Sequence, residues 1–108
     1  MTNYNKLVRD RIPEIITNQG MSFTTRVLEN DEYKTELLAK LKEETNEFIE
    51  AKSGSEASEE LADMLEVIHA LAETIGVTVQ ELERIRADKA VKRGGFMERV
   101  YLIEVVDA

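Results

Sequence analysis

The sequence predicts a mainly α fold, an antiparallel helical bundle formed as one domain over residues 1–108, and three observations predict it. Two long stretches place apolar residues at helical spacing: Leu37, Leu41, Phe48 and Ala51 in one, then Leu61, Met64, Leu65, Val67, Ile68, Leu71, Ala72 and Ile75 in the other. The break between them, Ser53-Gly54-Ser55-Glu56-Ala57-Ser58, is so short that the two helices must be antiparallel neighbours. Helix punctuation is also in place, with Gly20 and Gly76 as stops and Thr78 with Glu81 as a capping box.

Taken in order, residues 4–11 show no clear period, but Lys6, Arg9 and Arg11 gather just ahead of Pro13, a residue suited to the first turn of a helix. A short helix from about Ile12 to Asn18 follows, ending at Gly20. Its start is a favourable place for an anion, and a basic loop that pairs with the acidic middle of the chain explains the same three bases equally well. Ser22 to Leu28 alternates Phe23, Thr25 and Val27 against Thr24 and Arg26, which reads as a short strand. The only plausible partner is the strand-like run from Phe96 to Val106. A small two-stranded antiparallel ribbon from residues 22–28 and 96–106 is therefore expected, packed on the helices or across a dimer interface. Asp31 is the expected N-cap of a helix from about Glu32 to Lys52; the next helix ends near Gly76, and a further one runs from about Val79 to Lys92.

Charge narrows the function. The chain holds 22 acids and 14 bases, and the imbalance is local: residues 29–83 carry sixteen acids against four bases, the rest ten bases against six acids. A nucleic-acid polymer, whose phosphates must be neutralised by many bases, is a poor partner for such a surface. A small polyphosphate held between a metal on the acidic segment and a few terminal bases fits it well. The absence of cysteine rules out disulfides and thiolate metal sites and suits a reducing cytoplasm. No apolar run approaches the ~20 residues of a membrane span and the start of the chain has no signal-peptide pattern, so a cytoplasmic protein with no membrane partner is expected.

The chemistry concentrates in Lys42-Glu43-Glu44-Thr45-Asn46-Glu47 and, after twelve residues, Glu60-Leu61-Ala62-Asp63. Residues three apart on a helix project ~60° from each other, so Glu44 with Glu47, and Glu60 with Asp63, can share one ion. Glu44 and Glu60 fall inside the apolar arcs, and Glu47 and Asp63 on their borders. Carboxylates facing a core take up protons or require a cation, and all-oxygen ligands favour Mg²⁺, Mn²⁺ or Ca²⁺ over zinc. Glu50, Glu59, Glu66 and Glu73, like Glu43, lie away from the arcs and read as solvated faces. His69, the only histidine, reads as a surface residue, and the four methionines as core filling.

Glu43-Glu44-x-x-Glu47, twelve residues, then Glu60-x-x-Asp63 resembles the EExxE…ExxD signature of the all-α nucleoside triphosphate pyrophosphohydrolase superfamily, which includes MazG-like, dimeric dUTPase-like and phosphoribosyl-ATP pyrophosphohydrolase branches. Tyr4-Asn5-Lys6-Leu7-Val8-Arg9-Asp10-Arg11-Ile12-Pro13 and Lys89-x-x-x-Arg93-Gly94-Gly95-Phe96 extend the resemblance towards a small single-domain branch of house-cleaning enzymes acting on non-standard nucleotides. The resemblance implies hydrolysis of a nucleoside triphosphate to a monophosphate and pyrophosphate. Glu44, Glu47, Glu60 and Asp63 would hold Mg²⁺, with Mn²⁺ as a substitute, and Glu43 would orient water. Lys6, Arg9, Arg11, Lys89 and Arg93 would bind the phosphates. For Lys89, Arg93 and the glycines after them, a plain helix C-cap is the competing reading. Few aromatics are suited to base stacking, so the base stays open. A non-catalytic helical assembly module, with its inward acids met by Lys or Arg, and a divalent-ion buffer are the alternatives. A homodimer or homotetramer is expected, because Leu38 and Ile49 form a second apolar patch away from the Glu44 arc.

Overall fold

The structure is a computed structural model and describes residues 2–107. It consists of four helices, α1 (Ile12–Asn18), α2 (Asn30–Glu50), α3 (Gly54–Thr74) and α4 (Val79–Arg93). Pro13 lies in the first turn of α1, as its fixed φ favours. The two glycine stops close their helices in the same way. Gly20 and Gly76 take φ of 78° and 75°, a left-handed backbone that a Cβ would disfavour. The following residues then reach back, Met21 N–H to Ile16 C=O at 3.2 Å and Val77 N–H to Ala72 C=O at 3.0 Å, which satisfies carbonyls the helix ends leave free. Side-chain caps open α3 and α4: Ser53 Oγ accepts from the Glu56 N–H and Thr78 Oγ1 from the Glu81 N–H, each at 3.1 Å.

Two expectations need correction. α2 begins at Asn30, ahead of the expected Asp31 cap, because the Glu29 carbonyl already accepts from the Tyr33 N–H at 2.8 Å. Asp31 sits instead in the first turn with Glu32, where acids offset the helix dipole, and α2 stops at Glu50 rather than Lys52. The ribbon does not form. Among the described residues there is no strand, and residues 22–28 and 96–106 exchange no backbone hydrogen bond. Alternation marks a chain suited to a pleated surface but does not bring a second strand within reach. Here the second segment is carried off at the end of α4, which packs lightly on α3 and on no other helix.

The antiparallel α2–α3 hairpin is the one extensive helix pair, and the core lies along its seam. Among the described residues that core is thin: Leu37 and Ala72 are the buried apolar side chains. The exposed surface, 9999 Å², far exceeds the ~6,100 Å² expected of a compact chain of this mass. The radius of gyration, 18.8 Å, is likewise well above the ~13 Å of a compact domain this long. No helix among the described residues is long and apolar enough to cross a membrane.

Candidate metal centre

The inward face of α2 steps through Tyr33, Leu37, Lys40, Glu44 and Glu47, and α3 answers with Glu60, Asp63, Val67 and Ala70. Steps of three and four residues keep each row on one side of its helix. Antiparallel pairing sets the last turns of α2 beside the first turns of α3, so the acids of both rows meet at one end of the seam. Glu44 is 8 % exposed, the one buried charged residue among those described. Glu44, Glu47 and Glu60 each offer a carboxylate oxygen, and these oxygens lie within 4.8 Å of one another.

Carboxylates this close, on a face shielded from water, cannot all stay ionised without a compensating charge. Burial, a proton shared with Glu60 and the nearby carboxyl of Glu47 push the Glu44 pKa up to about 8. Glu60 is also raised: its contact with Glu44 pulls the other way, but Glu47, partial desolvation and the charge of Asp63 prevail. One oxygen of each, Glu44 Oε2 and Glu60 Oε2, is buried without a hydrogen-bond partner. Such orphaned acceptors cost free energy unless a proton or a cation meets them. A hard divalent cation, which takes oxygen ligands, fits this donor set.

The fourth expected ligand is engaged elsewhere. Asp63 Oδ1 accepts from Arg9 Nη2 at 2.6 Å, an ion pair across 54 residues that fastens the N-terminal segment to α3. Of the bases expected near phosphate, Arg9 alone reaches the acidic cluster. Lys6 Nζ lies 5.9 Å from the centre of the Tyr4 ring, and Arg11 Nε bonds Glu14 Oε2 at 3.1 Å, both local contacts. Glu43 points off the seam, 3.8 Å from Lys40 Nζ. Lys89 and Arg93 lie on the distal half of α4, and none of the ion pairs among the described residues includes them.

A groove of about 680 Å³ continues the seam beyond the acids, roofed by Leu7 to Asp10 and lined by Tyr33, Lys40, His69 and Glu73. Arg9 belongs to both the groove and the acidic cluster. Burial, then the charges of Glu73 and Asp10, raises the Tyr33 phenol above its ordinary value and keeps it neutral. His69 is half-buried here rather than a surface residue. Sequence reading missed this groove; the one available signal was that Tyr33, Leu37 and Lys40 extend the helical row of Glu44 and Glu47.

An antiparallel helical hairpin with carboxylates of both helices at one end of its seam is consistent with the all-α bundle of the MazG-like nucleotide pyrophosphohydrolases. The chain belongs to the phosphoribosyl-ATP pyrophosphohydrolase family, whose model matches residues 1–90. It is also similar to an uncharacterized protein of Mycolicibacterium smegmatis (strain ATCC 700084 / mc(2)155), 46% identical over 54 residues, which is 50% of this chain and 55% of that protein. The chain thus spans about half the length of the curated relative it matches. No solved structure matches.

Proposed function

We propose that the chain is a Mg²⁺-dependent nucleoside triphosphate pyrophosphohydrolase that cleaves a non-canonical NTP or dNTP between its α and β phosphates. The observation that carries this reading is the convergence of Glu44, Glu47 and Glu60 at 4.8 Å or less, with orphaned buried oxygens on two of them. These three residues would hold the ion, with Asp63, paired here with Arg9, as the fourth carboxylate ligand. When bound, Mg²⁺ supplies polarisation of phosphate oxygens and activation of the attacking water; Mn²⁺ can replace it. Arg9 would neutralise charge on the polyphosphate, with Lys6 and Arg11 on the same segment. Glu43, which points off the seam towards Lys40, would have to turn to the cluster to orient an outer-sphere water.

The groove lined by Tyr33, Lys40 and His69 would take the nucleoside. Leu37 and Glu44 are seven residues apart on α2, ~10 Å along the axis, a span suited to a nucleoside with its first phosphates. The main competing reading, a non-catalytic assembly module, requires the inward acids to be met by bases. Arg9 meets Asp63, but among the described residues no base pairs with Glu44 or Glu60.

Phosphorus NMR over a nucleotide panel tests the proposal. Monophosphate and pyrophosphate should appear together, only with Mg²⁺ or Mn²⁺, and Glu44→Gln or Glu60→Gln should stop the reaction while leaving helical circular dichroism intact. Orthophosphate as first product, or full activity of either Gln variant, refutes the assignment.

A further inference from the structure

We propose that Lys40 is a catalytic residue of the reaction put forward above: its ammonium holds a non-bridging oxygen of the nucleotide's α phosphate, the group that water attacks, and stays with the monophosphate when pyrophosphate leaves. The inference rests on that proposed function and goes beyond it, since the bases invoked there, Lys6, Arg9 and Arg11, all stand on the N-terminal segment.

Burial sets Lys40 apart from the other bases. Its side chain is 20 % exposed, whereas Arg9, the next most covered base in an ion pair among the described residues, is 58 % exposed. Drawing a lysine in from water is costly, because the ammonium gives up hydration and the stem gives up rotamer freedom. Little within the chain offsets that cost. Glu43 Oε2 lies 3.8 Å from Lys40 Nζ, within ion-pair range but longer than a hydrogen bond, and no other carboxylate among the described residues pairs with it. A pair three residues apart forms as readily on the solvent side of a helix, where Arg86 and Glu83 make theirs. The contact with Glu43 therefore does not explain why Lys40 faces inward.

Its position does. Lys40 lies on the row of α2 that faces α3, three residues after Leu37 and four before Glu44, and it lines the groove that continues the seam beyond the acids. One helical turn, ~6 Å along the axis, separates it from the buried carboxylate. A nucleotide with its nucleoside in the groove and its polyphosphate at a cation on Glu44, Glu47 and Glu60 must cross this place, and the part that crosses is the α phosphate. Charge agrees with position. α3 contains no lysine or arginine, and Lys34 and Lys42, the other bases of α2, are exposed. Lys40 is thus the one base that the hairpin itself contributes to the groove. A helix holds it in place before substrate arrives, as stabilisation of developing charge requires. Water gives its oxygen to the α phosphorus and a proton to solvent, and the bond to the oxygen between α and β breaks with its electron pair leaving on pyrophosphate. Lys40 keeps its proton throughout and offsets the negative charge of the α oxygens.

Steady-state kinetics on the nucleotide that the parent cleaves fastest, with its monophosphate and inorganic pyrophosphate as product inhibitors, tests the assignment. Lys40→Gln, which removes the charge, should lower kcat about a hundredfold with KM changed far less. It should raise the inhibition constant of the monophosphate about tenfold and leave that of pyrophosphate unchanged. Lys40→Arg should restore part of kcat, and Lys34→Gln, on the exposed side of the same helix, should behave as the parent. A purely structural Lys40 would not divide the two products, because loosened packing weakens both alike. An active parent whose Lys40→Gln variant keeps its kcat, or loses affinity for both products equally, overturns the role of Lys40 and leaves the reaction standing. A parent that cleaves no nucleotide overturns the reaction and this role with it. Should Lys40→Gln lose helical circular dichroism, Lys40→Arg carries the same test: monophosphate inhibition should shift and pyrophosphate inhibition should not, and any other pattern overturns the assignment.

Discussion

The α2–α3 hairpin and the α4 arm lack opposite things. The hairpin is the best-packed part of the chain, yet it buries carboxyl oxygens without partners where Glu44 and Glu60 meet. The arm pairs Arg86 with Glu83 and caps its first turn with Thr78, yet almost none of its apolar surface is covered. One region is short of positive charge and the other of hydrophobic contact. Among the described residues the arm's Lys89 and Arg93 pair with none of the acids, and its tail pairs with no strand. Electrostatics and packing thus fall short in different places, the first where Glu44 and Glu60 meet and the second along the tail of the arm.

That contrast is open to attack, and the hairpin gives the largest effect. Glu44→Gln keeps the volume and removes the charge, and it should lower pyrophosphate release about a thousandfold, some 4 kcal/mol of barrier. It should also abolish the rise in Tm with Mg²⁺. If Mg²⁺ still stabilises the variant, the hairpin is not short of positive charge at this place.

Next comes the exposed apolar surface. Leu65→Glu puts a carboxylate among the exposed apolar side chains of α3, and in the expected dimer it would be buried unpaired at a cost of several kcal/mol. Light scattering should show the mass fall to that of one chain, with metal-free helicity kept. Leu38→Glu, on the outer face of α2, probes whether the second exposed patch shares the interface and should lower the mass as well.

A pH series separates the two deficits. The folded-state pKa of Glu44, about 8, lies above its unfolded value. The folded state therefore holds the proton more tightly, and its contribution is complete below the unfolded carboxylate pKa and lost as pH rises through about 8. Metal-free protein should lose Tm between pH 5 and pH 8, and Mg²⁺ should restore more of it at pH 8 than at pH 5. Calorimetry near neutral pH in buffers of different ionisation enthalpy should find a proton released on Mg²⁺ binding. A metal-free Tm that climbs over this range contradicts the buried-acid account.

The smallest effect belongs to Arg9. Its pair with Asp63 is substantially exposed, so Arg9→Ala should cost stability no more than ~1 kcal/mol. The same change should raise KM for the nucleotide about tenfold while kcat changes less, a split that a merely structural ion pair would not give.

The helices are legible in the sequence because their signals are local. Gly20, Gly76 and the Thr78–Glu81 pair announce turns through their own backbone needs, and the apolar rows announce which sides of α2 and α3 meet. The same rows point Glu44 and Glu60 inward. What escapes is the relation between distant parts. Spacing aims Asp63 at the cluster but cannot show that Arg9, 54 residues earlier, holds its carboxylate. Alternation in residues 22–28 and 96–106 describes two segments that suit a sheet, while the path of α4 keeps them from making one. The groove beside Tyr33 and His69 is a shape between three elements, and no single stretch records it. The arm's bases read as phosphate ligands, but sequence position says nothing about which acids they face.

The Arg9–Asp63 pair makes the resting site its own counterion reservoir. A bare cation arriving at Asp63 would displace a guanidinium and leave it without an anion; a bare polyphosphate arriving at Arg9 would strand the carboxylate. On the proposed function, a metal–nucleotide complex would bring both charges at once and exchange one ion pair for two. Metal and nucleotide would then strengthen each other's binding by the same factor, a reciprocity that titrating either in the presence of the other would measure.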